Sequence, residues 1–140
     1  MRLVAPPTVY FENTAGRLLT DPAGFLRVVW SNQLRGPQDV EALFTHMTRA
    51  LRQYGWSRIL IDQVAMRRFT PQEQEWVANK WLPHAVQEGG YRFGAVLVSP
   101  DVMTRLATAY ITTKIQGLSV VYHSFGEEAT AVDWLLRQAR

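Results

Sequence analysis

The stretch Arg58-Ile59-Leu60-Ile61-Asp62 decides the fold that the sequence predicts. Its apolar run ends in a carboxylate, and a loop over 63–69 and a helix start at Thr70 follow it. This order is typical of a buried central strand that carries Asp62 at its carboxyl end. Because ligand and partner sites of open α/β sheets usually lie at that edge, we expect the functional surface there.

The composition predicts one soluble domain over 1–140. The chain has 140 residues, of which 47% are hydrophobic and 19% charged, as in ordinary globular domains. It contains no cysteine, which excludes disulfides and zinc–thiolate sites. The first seven residues lack the apolar core of a secretory signal, and no apolar run approaches the ~20 residues of a membrane span. We therefore expect a cytoplasmic protein without a transmembrane segment.

The positive charge of the chain is not concentrated. The formal net charge is +3 and the sequence pI about 9.6, but the arginines are scattered and only Arg67 and Arg68 are adjacent. Nucleic-acid binders gather their charge on one face, often with aromatic side chains that stack on bases. We expect the scattered arginines to be solvated and no nucleic acid to be a partner.

The hydrophobic periodicity predicts a mixed α/β sheet. The first thirty residues alternate in polarity between Gly, Pro and Asp turns, as an antiparallel meander does. Helices and strands then alternate, which predicts right-handed crossovers, a parallel centre and about four helices. The expected elements are a helix over 37–54, a strand over 56–62, a helix over 71–88, a strand over 91–98, a helix from a Ser99 cap to about Gln116, a strand over 118–125 and a helix over 127–140.

This order of elements resembles the STAS fold, in particular its SpoIIAA-like branch. The residues that carry the likeness are Leu60-Ile61-Asp62, Trp76, Trp81-Leu82-Pro83, Phe93 to Val98, Phe125-Gly126-Glu127-Glu128-Ala129 and Trp134-Leu135. The resemblance implies a non-catalytic regulatory or scaffold module that acts by protein–protein interaction. Members of that branch are also distantly similar to CRAL-TRIO lipid-transfer domains, which implies an alternative function as a binder or carrier of a small apolar or lipid-like ligand.

The loop after Asp62 departs from that family. Anti-sigma-factor antagonists carry an Asp-Ser-Ser-Gly segment there, whose serine is phosphorylated, whereas the loop over 63–69 has neither serine nor glycine. The nearest hydroxyl is that of Thr70, and Thr70 with Glu73 has the spacing of a capping box. We expect Thr70 to cap a helix and do not carry the phosphorylation switch over.

Asp62, Arg67 and Arg68 are the charged candidates for function. Asp62 is either a partner-binding or catalytic carboxylate, or a structural one that accepts loop amides or pairs with an arginine. Arg67 and Arg68 either hold an anion or an acidic partner surface beside the helix start at Thr70, or they are a solvated pair. An enzyme that uses Asp62 with one of these arginines is a third hypothesis.

Known catalytic and metal-binding patterns are missing from the sequence. His46, His84 and His123 have no metal-ligand spacing, and no nucleophile elbow or phosphate-binding glycine loop occurs. We therefore expect no catalytic residue, no metal and no cofactor.

Aromatic side chains are the remaining signal. Trp76 and Trp81 are five residues apart, so they should not share one helical stripe, and at least one is expected to reach the surface or a neighbouring subunit. Tyr110 lies in a helix of mixed polarity over 102–115, which suits a pocket lining or a dimer contact. The sequence thus favours a protein partner or self-association at the carboxyl edge and the loop over 63–70, with a small apolar ligand as the alternative.

Overall fold

The sheet of this protein runs through the molecule in chain order. The computed structural model describes residues 5–115 and 117–138, and within these ranges it has one six-stranded sheet of order β1-β2-β3-β4-β5-β6. The strands are β1 (Thr8–Glu12), β2 (Gly16–Asp21), β3 (Phe25–Trp30), β4 (Arg58–Asp62), β5 (Phe93–Leu97) and β6 (Val121–Phe125). The first three are antiparallel, and β3 to β6 are parallel. The predicted mixed α/β sheet is confirmed.

Helices connect the parallel strands. They are α1 (Pro37–Tyr54), α2 (Pro71–Trp76), a π-helix (Val77–Trp81), α3 (Leu82–Gln87), α4 (Val102–Thr112) and α5 (Glu128–Leu136). Because α2, the π-helix and α3 follow one another without a break, they form one continuous helix over 71–87, so the described residues contain four helical units. No helix in the described ranges is long and apolar enough to cross a membrane.

The strand order leaves no reversal point in the parallel part of the sheet. Crossovers of one hand between successive neighbouring strands place their helices on the same face. Ile59 and Ile61 belong to the core under α1 and the π-helix, whereas Leu60 packs with Ala131 and Leu135 of α5 on the other face. The crevice of a doubly wound sheet forms where the strand order reverses. The sheet therefore has no such crevice, although the loop after β4 and the start of α4 both follow the carboxyl ends of parallel strands.

The central strands are covered on both faces, as their apolar composition predicts. Residues 59–61 of β4 and 95–97 of β5 are at most 8% exposed. Arg58 begins β4 and is also buried, with its guanidinium donating to the Leu135 carbonyl (3.2 Å) and the Gly24 carbonyl (3.1 Å). It fastens the end of α5 to the sheet, so the prediction of solvated arginines is wrong for Arg58.

Several predicted boundaries are wrong by a few residues. β4 starts at Arg58 rather than at 56, and β6 starts at Val121 rather than at 118. The N-cap of α4 is Asp101 and not Ser99, since the Asp101 carboxylate accepts the Thr104 amide at 2.9 Å. That helix ends at Thr112, and its predicted end, Gln116, lies outside the described residues, as do 139–140 of the last predicted helix.

A π-turn changes which residues of the long helix face the core. The Leu82 amide bonds to the Val77 carbonyl, five residues back. Its cause is Pro83, which has no N–H and whose ring would clash with the Asn79 carbonyl in a regular α-helix. The wider turn brings Trp76 and Trp81 onto the same side, where their ring centroids lie 5.8 and 4.6 Å from that of Phe44. The prediction that the two tryptophans cannot share a stripe is wrong.

Trp81 fixes the long helix to α1 and is 5% exposed. Its indole N–H donates to the Phe44 carbonyl (2.8 Å) and to the Thr48 hydroxyl (3.0 Å). Trp76 is half-buried, and its indole N–H has no hydrogen-bond partner among the described residues.

Trp81→Phe is expected to lower the free energy of unfolding by about 2 kcal/mol, because a buried donor and part of the packing are lost. Trp76→Phe, which removes the same ring atoms from a half-buried site, should cost less than about 1 kcal/mol. Urea denaturation followed by circular dichroism measures both values. Equal losses for the two variants would contradict this account of the helix pair.

Candidate functional site

Helix α4 differs from the other helices in that several of its large apolar side chains face solvent, while threonines face the core. Its buried residues are Thr104, Ala107 and Ile111, two of which are small. Its outward residues include three large apolar ones, with Val102 55%, Met103 50% and Leu106 58% exposed, beside the exposed Arg105. The moderate polarity of this helix in the sequence therefore reflects threonines that face inward, not a polar outer face.

Hydrogen bonds hold the inward threonines in place. The Asp101 carboxylate accepts both the amide (2.9 Å) and the hydroxyl (2.8 Å) of Thr104. One turn later the Thr108 hydroxyl donates to the side-chain oxygen of Gln63 (3.0 Å), which is itself 3% exposed. The N-cap thus satisfies the buried Thr104 hydroxyl, and the bond from Thr108 to Gln63 favours the orientation that turns the threonines inward.

The loop after β4 is ordered by its own backbone bonds and by Arg35. Asp62 is half-buried, and its carboxylate accepts the Val64 amide at 3.0 Å, which is the structural role predicted as one alternative. The Arg35 side chain is 4% exposed and contacts Glu73 at 2.9 Å. It also donates to the carbonyls of Arg67 (2.9 Å) and Arg68 (3.3 Å). The prediction that the scattered arginines are solvated is therefore wrong for Arg35 as well as for Arg58.

Arg67 and Arg68 are exposed on the loop after β4. The Arg67 guanidinium donates to the Asn32 carbonyl at 3.3 Å, and no ion pair joins either arginine to Asp62 among the described residues. Hydrogen bonds from Thr104 lower the pKa of Asp101, and the charges of Arg68 and Arg105 lower it further. Arg68 therefore lies near the amino end of α4.

Arg68 lies near the exposed apolar residues at the start of α4, since its charge influences the pKa of Asp101. We call Arg68, Val102, Met103 and Leu106 the α4–loop surface. It combines exposed apolar side chains on a helix with an arginine of the loop after β4. Of the residues proposed from sequence, the structure brings Arg68 to this surface, whereas the Arg67 guanidinium contacts the Asn32 carbonyl.

The other aromatic candidates serve in helix packing. The Tyr110 hydroxyl donates to the Glu75 carboxylate, which ties α4 to α2, and this hydrogen bond raises the pKa of Tyr110. The Lys114 ammonium lies 5.1 Å from the ring centroid of Tyr110. Trp76 and Trp81 line a groove between α1 and the long helix, away from the α4–loop surface. None of the three is brought to Asp62.

A cavity and a groove lie beneath α4. The internal cavity has a volume of about 40 Å³ and lies between the sheet, α1 and the π-helix. The groove, of about 450 Å³, runs between α4 and strands β5 and β6. The two spaces are neighbours and share five lining residues, namely Gln63, Val96, Thr108, Thr112 and Tyr122. The small side chains on the inner face of α4 explain why this space is left open.

Two tyrosines form one wall of the cavity. Tyr122 pairs with Gly94 across the β5–β6 ladder, and a Cβ on Gly94 would lie 2.4 Å from both the Tyr122 ring and the Tyr91 hydroxyl. Only glycine permits this approach. The rings of Tyr91 and Tyr122 meet edge to face, with centroids 5.9 Å apart.

The Tyr91 hydroxyl is fully buried. It has no partner that meets the distance and angle of a hydrogen bond among the described residues, although the Tyr122 hydroxyl is near enough to influence it. Burial raises the pKa of both tyrosines, and for Tyr91 the neighbouring Tyr122 raises it further. Both groups are therefore neutral hydrogen-bonding groups and not acids or bases at neutral pH.

Sequence reasoning missed Gln63, Thr108 and Arg105 as lining residues. Gln63 directly follows the strand that ends in Asp62, and the threonines of α4 recur at i and i+4, so a signal existed in the spacing. The surroundings of the Tyr91 hydroxyl could not be predicted from the sequence, because they depend on Gly94 and Tyr122, which lie on two different strands.

Compared with models of protein families and with curated proteins, the chain finds no significant match. The resemblance to the STAS fold therefore stays a prediction, and the case for a function rests on the geometry of this chain.

Tyr91→Phe is expected to make stability less sensitive to alkali. The unfolded chain releases the phenol proton near its ordinary pKa of 10.0, while the folded chain retains it. The contribution of this group is complete below that pH and is lost as the pH rises further. Urea denaturation from neutral pH to about pH 11, past the ordinary pKa of tyrosine, should give a flatter stability curve for the variant above that pKa. Parallel curves for both proteins would mean that Tyr91 is not buried as described.

Proposed function

We propose that this protein is a non-catalytic interaction module that binds an acidic, amphipathic segment of another protein through the α4–loop surface. The observation that carries the proposal is the exposed apolar face of α4. A helix that buries one large apolar residue, Ile111, beside a threonine and an alanine, while it exposes valine, methionine and leucine, is poorly explained by the fold of a free monomer.

The apolar part of the surface suits a helix or extended peptide. Met103 and Leu106 are three residues apart, and Val102 and Leu106 are four apart, so all three neighbour one another on one side of α4. Each is at least 50% exposed. Contiguous exposed apolar side chains with a polar rim are typical of protein interaction sites.

The charge of the rim favours an acidic partner over a second copy of the chain. Arg68 lies on the loop, and Arg105 is exposed on α4 itself. In a symmetric dimer the same patch meets itself, so these arginines would face each other, and such like-charge contacts are costly. A partner with carboxylates around an apolar stripe would instead complement both parts of the surface.

The proposal agrees with what the STAS resemblance implies, but without the phosphorylation switch. Thr70 accepts the Glu73 amide at 3.1 Å, and the Glu73 carboxylate accepts the Thr70 amide at 2.8 Å. This reciprocal cap supports a structural role for Thr70. The bond from Val64 to Asp62 likewise supports a structural carboxylate and not the enzyme hypothesis.

Site-specific photocrosslinking in cells that express the protein tests the proposal. A photoreactive amino acid replaces Leu106, and as a matched control it replaces Leu136 of α5, which is 46% exposed on the other face of the sheet. We expect an adduct with one protein from position 106 and none with that protein from position 136. Mass spectrometry should map the adduct to a segment that contains acidic and apolar residues.

The crosslinked protein is then purified for a direct binding assay. Leu106→Glu should weaken binding by at least about tenfold, because it places a charge in the centre of the apolar patch. Leu136→Glu should leave the affinity unchanged, and salt should weaken the wild-type complex. Adducts between two copies of the chain would show that the surface forms a dimer and would contradict the proposed binding of another protein. An absence of adducts from position 106 would also refute the proposal.

A further inference from the structure

We propose that the groove between α1 and the long helix binds a small anion that contains linked phosphate groups. We call it the basic groove and define it by four side chains that line it, Arg49, Arg52, Lys80 and His84. It shares no residue with the α4–loop surface. The inference therefore goes beyond the proposed protein interaction and does not rest on it.

The fold gathers basic side chains that lie far apart in the sequence. Arg49 and Arg52 are three residues apart on α1, so they neighbour each other on one side of that helix. Lys80 of the π-helix and His84 of α3 line the same groove from the long helix. All four residues are exposed. The scatter of the arginines along the sequence therefore does not describe how positive charge is distributed in the structure.

No carboxylate neutralises the basic groove. Its four basic side chains form no ion pair and no side-chain hydrogen bond among the described residues, and no carboxylate lines the groove. The carboxylates of α2 are engaged elsewhere. Glu73 pairs with Arg35, and Glu75 accepts hydrogen bonds from Asn79 and Tyr110. The positive potential of the groove is thus left for a ligand.

The arrangement of the donors selects phosphate chemistry. Like charges three residues apart on a helix repel each other, and a bound anion relieves this repulsion. The planar guanidinium groups of Arg49 and Arg52 match the oxygens of a phosphate in pairs, and the Lys80 ammonium adds a compact charge from the other wall. Because the donors come from both walls, they suit an anion with more than one charged group.

The floor of the basic groove is fixed before any ligand binds. Trp81 and Thr48 line it, and the Trp81 indole donates to the Thr48 hydroxyl at 3.0 Å and to the Phe44 carbonyl at 2.8 Å. The groove has a volume of about 310 Å³, near the lower end of the range for small-molecule sites. A few linked phosphate groups fit this space without rearrangement of the floor.

Glu88 limits the anion at one end of the basic groove. It lines the adjoining depression together with Arg52 and Arg92. A polyanion that ran on past Arg52 would meet this carboxylate. The anion is therefore expected to lie toward Arg49 and Lys80, which favours a short anion over a long polymer.

Isothermal titration calorimetry of the full chain with three probes tests the proposal, at low ionic strength and without divalent metal. Pyrophosphate has two linked phosphate groups, orthophosphate has one, and citrate has a net charge similar to that of pyrophosphate but no phosphate. We expect pyrophosphate to bind at least about fivefold more tightly than either of the others. Added salt should weaken its binding, because the cations are exposed.

Variants of exposed residues assign the binding to the groove. Arg49→Gln and Lys80→Gln should each weaken pyrophosphate binding by about three- to tenfold, because each removes a charged donor. Arg17→Gln removes the same charge from an exposed position on β2 and is the matched control, with a change of less than about twofold. Arg49→Lys should retain part of the affinity that Arg49→Gln loses. Circular dichroism establishes that every variant is folded.

The indole N–H signal of Trp76 reports the place of binding in NMR spectra of the ¹⁵N-labelled chain. Trp76 lines the basic groove, and Trp76→Phe assigns its signal. Pyrophosphate should shift this signal and leave that of Trp134, which packs on the other face of the sheet, unchanged.

Adenosine triphosphate distinguishes two sources of the same chemistry. Tighter binding than that of inorganic triphosphate would support a phosphate ester whose ring contacts the groove. Equal or weaker binding would support a free oligophosphate.

Three results would overturn the proposal. Equal affinities for pyrophosphate and citrate would mean attraction by charge alone. Equal losses for Arg17→Gln and Arg49→Gln would mean that the groove has no special role. Neither heat nor a shift of the Trp76 signal at millimolar pyrophosphate would remove the site. Arg49→Gln should leave crosslinking from position 106 unchanged, so failure of the anion site is distinguishable from failure of the protein interaction.

Discussion

The hydrogen bonds on the inner face of α4 are the constraint on which the proposed interaction surface of this protein depends. Thr108 bonds to Gln63, which holds this side of the helix against the body of the molecule, and the N-cap Asp101 satisfies the buried hydroxyl of Thr104. Two consequences follow. The apolar side faces solvent, and the small inward side chains leave space above β5 and β6. Docking surface and cavity thus have one structural cause.

The rest of the helix layer is packed in the ordinary way, which makes the exception at α4 informative. Around Phe44, the rings of Trp30, Phe69, Trp76 and Trp81 meet at centroid distances between 4.6 and 6.2 Å. The π-turn that Pro83 imposes brings the last two together, and the Trp81 indole fixes the helix to α1. The cavity beneath α4 lies next to this aromatic cluster, and Phe44 and Trp81 are part of its wall.

Periodicity predicted the sheet, its mixed direction and the helical units, because burial of alternating or three-to-four-spaced apolar residues is a local signal. It failed where the structure depends on contacts between distant segments. Spacing alone could not predict that Trp76 and Trp81 share a face, since Pro83 changes the helix type between them. The sequence likewise indicated a helix of mixed polarity over 102–115 without showing which side faces inward, because the bond between Thr108 and Gln63 joins positions 45 residues apart. The unsatisfied Tyr91 hydroxyl required the structure itself.

The orientation of α4 is the central claim, and methionine oxidation tests it most directly. Met103 is 50% exposed on the outer face, whereas Met47 is 1% and Met66 is 6% exposed, so the chain contains its own controls. The dilute protein is treated with hydrogen peroxide, and peptide mass spectrometry follows sulfoxide formation at each site. The account predicts that Met103 is oxidised at close to the rate of a free methionine, well before Met47 and Met66. Protection of Met103 to the level of Met47 would mean that α4 turns its apolar face inward, which would contradict the account.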